Sequence, residues 1–115
     1  MTTDEQIEAA LAPCATSGAF QDIAPQDIAE PYIVWQRIVS TTNNTLAGAT
    51  NMQNTRVQID CWAKSPSARS TMAAAVVVAL AAAPFQNVQL TSQNTYEPDT
   101  KSFRAMLEFS IWSAS

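Results

Sequence analysis

Residues 55–84 read TRVQIDCWAKSPSARSTMAAAVVVALAAAP, and two different periods meet inside them. From Thr55 to Ala63 the chain alternates: Val57, Ile59 and Cys61 fall on one side, Arg56, Gln58, Asp60 and Trp62 on the other. A period of two is that of a β-strand with one buried face. Ser65-Pro66 then supplies a hydroxyl able to cap a helix and a proline at the first helical position, where its missing N–H costs nothing. Pro84 ends the segment, so a helix of about 18 residues, roughly 27 Å long, is predicted between the two prolines. A one-faced strand running straight into a helix calls for a sheet with helices laid on its apolar side.

On the C-terminal side, Val88 to Tyr96 and Lys101 to Trp112 form a predicted hairpin about the turn Glu97-Pro98-Asp99-Thr100. Pro98 presets φ for the second position of a type I turn, and Asp99 tolerates the bridge conformation that follows. In the second arm Phe103, Ala105, Leu107, Phe109 and Ile111 alternate with Arg104, Met106, Glu108, Ser110 and Trp112. On the N-terminal side, Tyr32 to Val39 is dense in β-branched and aromatic residues, with Pro31 just outside, and reads as a strand. Thr41 to Asn54 is polar and, apart from Leu46 and Met52, offers no apolar anchor. It is expected to be a long loop joining two strands, and its length marks it as a candidate contact arm. Ala15 to Pro31, broken by Gly18 and Pro25, is irregular, with at most a short edge strand near Phe20 to Ile23. A first helix is predicted from Thr3, whose spacing to Gln6 is that of a capping box and whose first turn holds Asp4 and Glu5. Ile7, Ala10, Leu11 and Cys14 make its apolar stripe, and Pro13 its stop.

The sum is one α+β domain over residues 1–115: an antiparallel-rich sheet of four to five strands with two helices packed on one face. Val57, Ile59, Leu107, Phe109, Ile111, Leu11 and Leu80 are its expected core. Strand order is not readable from the sequence.

Composition narrows the function. Charged residues are 14% of the chain, against about a quarter in an ordinary domain, while 47% is apolar. Neutral surface is cheaper to desolvate than Lys or Glu, so sparse charge favours a chain that buries its outside in an assembly. The net charge is −4 and no basic run occurs, which argues against binding nucleic acid through its phosphates. Met72 to Phe85 is nearly apolar but too short for a bilayer that needs about 20 helical residues, so no membrane partner is expected. The acidic start Met1-Thr2-Thr3-Asp4-Glu5 has no apolar core, so a protein made and kept in cytoplasm is expected, with Cys14 and Cys61 as free thiols. There is no His and no glycine-rich phosphate loop. The carboxylate pairs Asp22 with Asp27 and Glu97 with Asp99 fall on loops and turns. No catalytic residue, metal ligand or cofactor site is therefore expected.

Two surfaces call for cover. The second helix carries Arg69 as its only charge and is apolar nearly all round, whereas a helix on a sheet needs one apolar stripe. Trp62, Met106 and Trp112 are expected on the opposite, open face of the sheet. Burying each is worth about 1.5–3 kcal/mol. Apolar surface on two sides of a subunit is what a ring of copies requires. The candidate interface residues are Trp62, Met106 and Trp112, with Asn43, Asn44, Leu46 and Met52 of the contact arm.

Three segments carry a resemblance: Pro31-Tyr32-Ile33-Val34-Trp35-Gln36, Arg56-Val57-Gln58-Ile59-Asp60-Cys61-Trp62, and Tyr96-Glu97-Pro98-Asp99-Thr100 followed by Phe103-Arg104. In this order, with an Ala-rich helix before the last, the chain resembles the tail-completion (tail-terminator) family of siphophages. The resemblance implies a non-enzymatic virion protein of the neck. Such a protein forms a hexameric ring on the last ring of the tail tube protein, stops tube growth and presents a surface to head connector and neck proteins. DNA would cross the lumen without specific binding. Six copies at −4 each would total −24, so a weakly repulsive lumen is expected. A head-completion or connector ring of the same neck, and a small soluble ligand-binding module, are the alternatives.

Overall fold

The computed structural model describes residues 3–45, 48–83 and 85–114, with side chains described for 3–38, 54–83 and 85–112. Helix α1 (Thr3–Leu11) leads through a 3-10 turn (Ala12–Cys14) to β1 (Ala19–Gln21). Strands β2 (Tyr32–Thr45) and β3 (Gly48–Ala63) follow, then helix α2 (Pro66–Ala81), then β4 (Gln86–Glu97) and β5 (Ser102–Ala114). The sheet order is β1-β2-β3-β5-β4; only the short β1–β2 pairing is parallel. The expected α+β class and the four-to-five-strand sheet with two helices are both found.

The boundaries follow from local chemistry. Ser65 Oγ accepts from the Ala68 N–H at 3.1 Å and Pro66 opens α2, as the sequence indicates. At the other end, Asn87 Nδ2 donates to the Leu80 carbonyl at 2.8 Å, which also accepts from the Ala83 N–H at 3.2 Å, and this ties α2 to β4. The helix ends at Ala81, somewhat short of the predicted length, and Pro84 lies outside the described residues. Between β4 and β5 the chain turns through Lys101 in the left-handed region, with φ 55°.

One expectation is corrected. The stretch from Thr41 to Asn54 is not a loop: β2 and β3 pair through it, with Thr41 opposite Asn54, Asn43 opposite Met52 and Thr45 opposite Gly48. Uncharged Thr and Asn side chains carry no buried-face alternation, yet the backbone ladder needs none, and Thr favours extended backbone. The result is an elongated molecule of 52 × 24 × 23 Å. Asn43, Asn44 and Met52 lie on this hairpin; their side chains, and Leu46 altogether, lie outside the described residues.

The core sits between the sheet and the helices. Val57, Ile59, Leu107, Phe109, Ile111, Leu11 and Leu80 are all buried there as expected, joined by Ile7, Ile33, Trp35, Cys61, Met72 and Val76. Helix α1 is fastened to the sheet by charge: Asp4 Oδ1 accepts from Arg37 Nε at 2.6 Å and Asp4 Oδ2 from Gln21 Nε2 at 3.0 Å. Asp4 thus sits in the first turn of α1, where a carboxylate suits the helix dipole, and ties that turn to β1 and β2.

Candidate assembly surface

The open face of the sheet is built by the second set of alternating residues. Tyr32, Trp62 and Arg104 stand side by side across β2, β3 and β5, and the next row is Val34, Asp60 and Met106. The rings of Tyr32 and Trp62 stack with centroids 6.3 Å apart, and the Arg104 guanidinium lies 5.2 Å from the Trp62 centroid. The same guanidinium donates from Nε and Nη2 to Asp60 Oδ1 at 3.2 and 3.0 Å. A cation held between a carboxylate and an aromatic face is fixed in orientation, so this corner is rigid. Further along, Arg56 pairs with Glu108, and Asn54 Nδ2 donates to Ser110 Oγ at 2.8 Å.

The three apolar groups expected on this face are half-buried. Trp62 is covered in part by Tyr32 and Arg104 of its own subunit. Met106 follows the buried Ala105 along β5, and Trp112 follows the buried Ile111. The structure brings Trp62 and Met106 onto neighbouring strands two residues out of step, whereas Trp112 lies toward the hairpin end, opposite Asn54 and Gln86.

Larger exposure lies elsewhere, at positions that the alternation argument does not single out. On α2, Met72, Val76 and Leu80 face the sheet, while Val77 and Val78 face outward, Val78 at 69% exposure. Val77 and Ala81 form one wall of an open groove of about 590 Å³ whose other wall is Phe85 to Gln89 at the start of β4. Val88, Leu90 and Tyr96 of β4 and Ile38 of β2 are also exposed. The signal for α2 was its apolar composition; Val88 and Leu90 carry none that alternation shows.

Nothing in the site favours chemistry at a reactive group. Cys61 is buried on the core side of β3, and desolvation, with lesser contributions from Cys14 and Asp60, pushes its thiol up to about 12. Burial also raises Cys14. A thiol that holds its proton is a poor nucleophile. Because the unfolded chain releases the Cys61 proton near 9 and the folded chain near 12, this group's contribution is intact below pH 9 and is lost as pH rises between them. Thermal melts are therefore expected to hold steady up to about pH 9 and then fall. A Cys61→Ala variant should show a smaller alkaline decline; an equal decline would place its cause elsewhere. Among the described residues, no cluster of acidic and cysteine side chains is arranged to hold a metal, and no helix is long and apolar enough to cross a membrane.

Comparison with known proteins fits the fold. No curated protein sequence matches the chain. Among solved structures, a chain in the virion of a native gene transfer agent particle aligns with a TM-score of 0.67 and 17% identity, covering 95% of this chain and 89% of that one. The gp17 protein of bacteriophage SPP1 aligns with a TM-score of 0.58 and 17% identity, covering 98% and 86%. At such identity these likenesses speak for a shared fold. The family model described as tail completion protein gp17 matches residues 1–114, and over that full span the chain belongs to the tail completion protein gp17 family.

Proposed function

We propose that the chain is a tail terminator: copies form a ring, six by the family resemblance, that caps the tail tube, stops its polymerisation and offers the surface to which the head joins. The family is one of structural virion proteins of the tail and neck, and the chain is not an enzyme. The observation that carries the finer reading is the family match over residues 1–114. It is supported by apolar surface left on the outside of a closed subunit: the outer side of α2 on one side and the row around Trp62 and Met106 on the other. The partners are then further copies of this chain, the tail tube protein and a connector protein of the neck, with DNA passing the lumen unbound.

Electron microscopy of particles assembled without this chain tests the proposal. Tubes are expected to lose their uniform length and to lie detached from heads, and adding the purified chain should restore both. Tubes of normal length that fail only to join heads would assign the chain to the head-side connector instead.

A further inference from the structure

The sheet has two free edges, and their chemistry matches at one level. Strand β4 is the outer strand on one side, 12 residues long, with Glu97 at its end as its only charge and neither Lys, Arg nor Pro along it. Edge strands are ordinarily guarded by such residues, because a row of open N–H and C=O groups recruits another strand. On the other side, β1 covers only Ile33 to Trp35 of β2, so β2 beyond Trp35 has β3 on one flank and no strand of its own chain on the other, among the described residues. The part of β2 past β1 begins Gln36-Arg37-Ile38, Arg37 being paired with Asp4, and runs on uncharged from Ile38 to Thr45.

The register across the sheet sets these edges level. Val39 is opposite Arg56, Arg56 opposite Ser110, and Ser110 opposite Val88. Thr41, Asn54, Trp112 and Gln86 form another row, and Gln36, Gln58, Glu108 and Thr91 a third. The segment 36–41 on one edge thus lies level with 86–91 on the other. Both edges are irregular at this height, β2 at Ile38 and β4 at Leu90, and both present apolar side chains: Ile38 is 47% exposed, Val88 53% and Leu90 43%. The Val77 and Ala81 wall of α2 stands beside Val88.

Resting on the ring reading above, we infer that the joint between copies is a strand pairing, β4 of one subunit against residues 36–41 of β2 in the next. Within a subunit β2 runs opposite to β4, so rotation about an axis near the strand direction brings the neighbour's β2 alongside β4 antiparallel. Ile38 of one copy then meets Val88 and Leu90 of the next. The joint is heterologous, each copy using each of the two stretches once, so in a closed ring neither stretch is left unpaired.

Two charged variants test this. Val88→Lys spoils the β4 edge and Ile38→Lys the β2 edge; both positions are exposed, and circular dichroism checks that each variant stays folded. Native mass spectrometry and negative-stain microscopy are run on the free chain and on chain recovered from particles. Each variant alone is expected to lose rings, with association weakened about tenfold or more. An equimolar mixture should give a discrete heterodimer, because each partner retains one competent edge. Benzoylphenylalanine at Gln86 should, on irradiation of assembled wild-type background, attach to residues 36–45 of another copy. Rings that persist in both variants, or attachment to β4 of another copy, would overturn the strand joint while leaving the terminator reading standing. Absence of rings from the wild type in every state, particles included, would overturn both.

Discussion

Trp35→Ala is expected to destabilise the subunit by about 3–5 kcal/mol, the range for truncating a buried aromatic ring. Trp35 is the largest fully buried side chain and stands where three strands meet, opposite Gln21 on β1 and Ile59 on β3. Its carbonyl also accepts from the Asp22 N–H at 2.8 Å, which holds the end of β1 against β2. Small domains are stable by only about 5–15 kcal/mol, so the loss takes a large share of the total. The midpoint of urea unfolding, followed by far-ultraviolet circular dichroism because the variant removes a fluorophore, is the measurement. Trp35→Phe is the control. The indole Nε1 is buried with no hydrogen-bond partner, so replacing it by an apolar ring gives back a desolvation cost and should lose under about 1.5 kcal/mol. Trp62→Ala should also cost less than Trp35→Ala, since that ring is partly exposed. Equal losses at Trp35 and Trp62 would contradict the division between core and open face drawn above.

Position 35 also shows what the sequence could and could not convey. Its strand was legible from β-branched and aromatic density, and the β3 and β5 faces from alternation, because each has a helix layer to bury one side against. The cap at Ser65 was legible because capping is local chemistry. Strand order depends on contacts between distant segments, and no feature of Ala19–Gln21 signals parallel pairing with β2. The far half of the β2–β3 hairpin was hidden for a different reason. Strand patterns arise from a buried face; the apolar alternation of β3 stops at Thr55, whereas the hydrogen-bonded ladder continues to Gly48. On the surface, Trp62 and Met106 were placed on the open face by parity alone. The exposed group at Ile38, Val88 and Leu90 needed the register across four strands before it became visible as one level.

That extended hairpin yields the second large effect. Replacing Asn43 to Met52 by a two-residue Asn-Gly turn, so that the opposed pair Thr42 and Gln53 closes a short hairpin, should leave the subunit folded and the tail unfinished. The core cluster of the described residues, α1, α2 and the β3–β5 pairing from Asn54 onward remain, so the urea midpoint should stay close to that of the parent. The β2 edge at residues 36–41 also remains, so rings should still form if the strand joint is correct. What is removed is a polar, uncharged arm projecting along the long axis of a 52 Å molecule. Thr, Asn and Gln side chains cost less to desolvate than charged ones, and paired strands lose less conformational freedom on docking than a loop would. An arm of that kind fits a contact with the tube, which lies outside the ring plane. Tube capping, scored as the fraction of tubes of uniform length joined to heads, is expected to fall by about tenfold or more, as the loss of an interface anchor would produce. Normal tails from the shortened chain would take the tube contact away from the hairpin and leave the open face around Trp62 as the surface to examine.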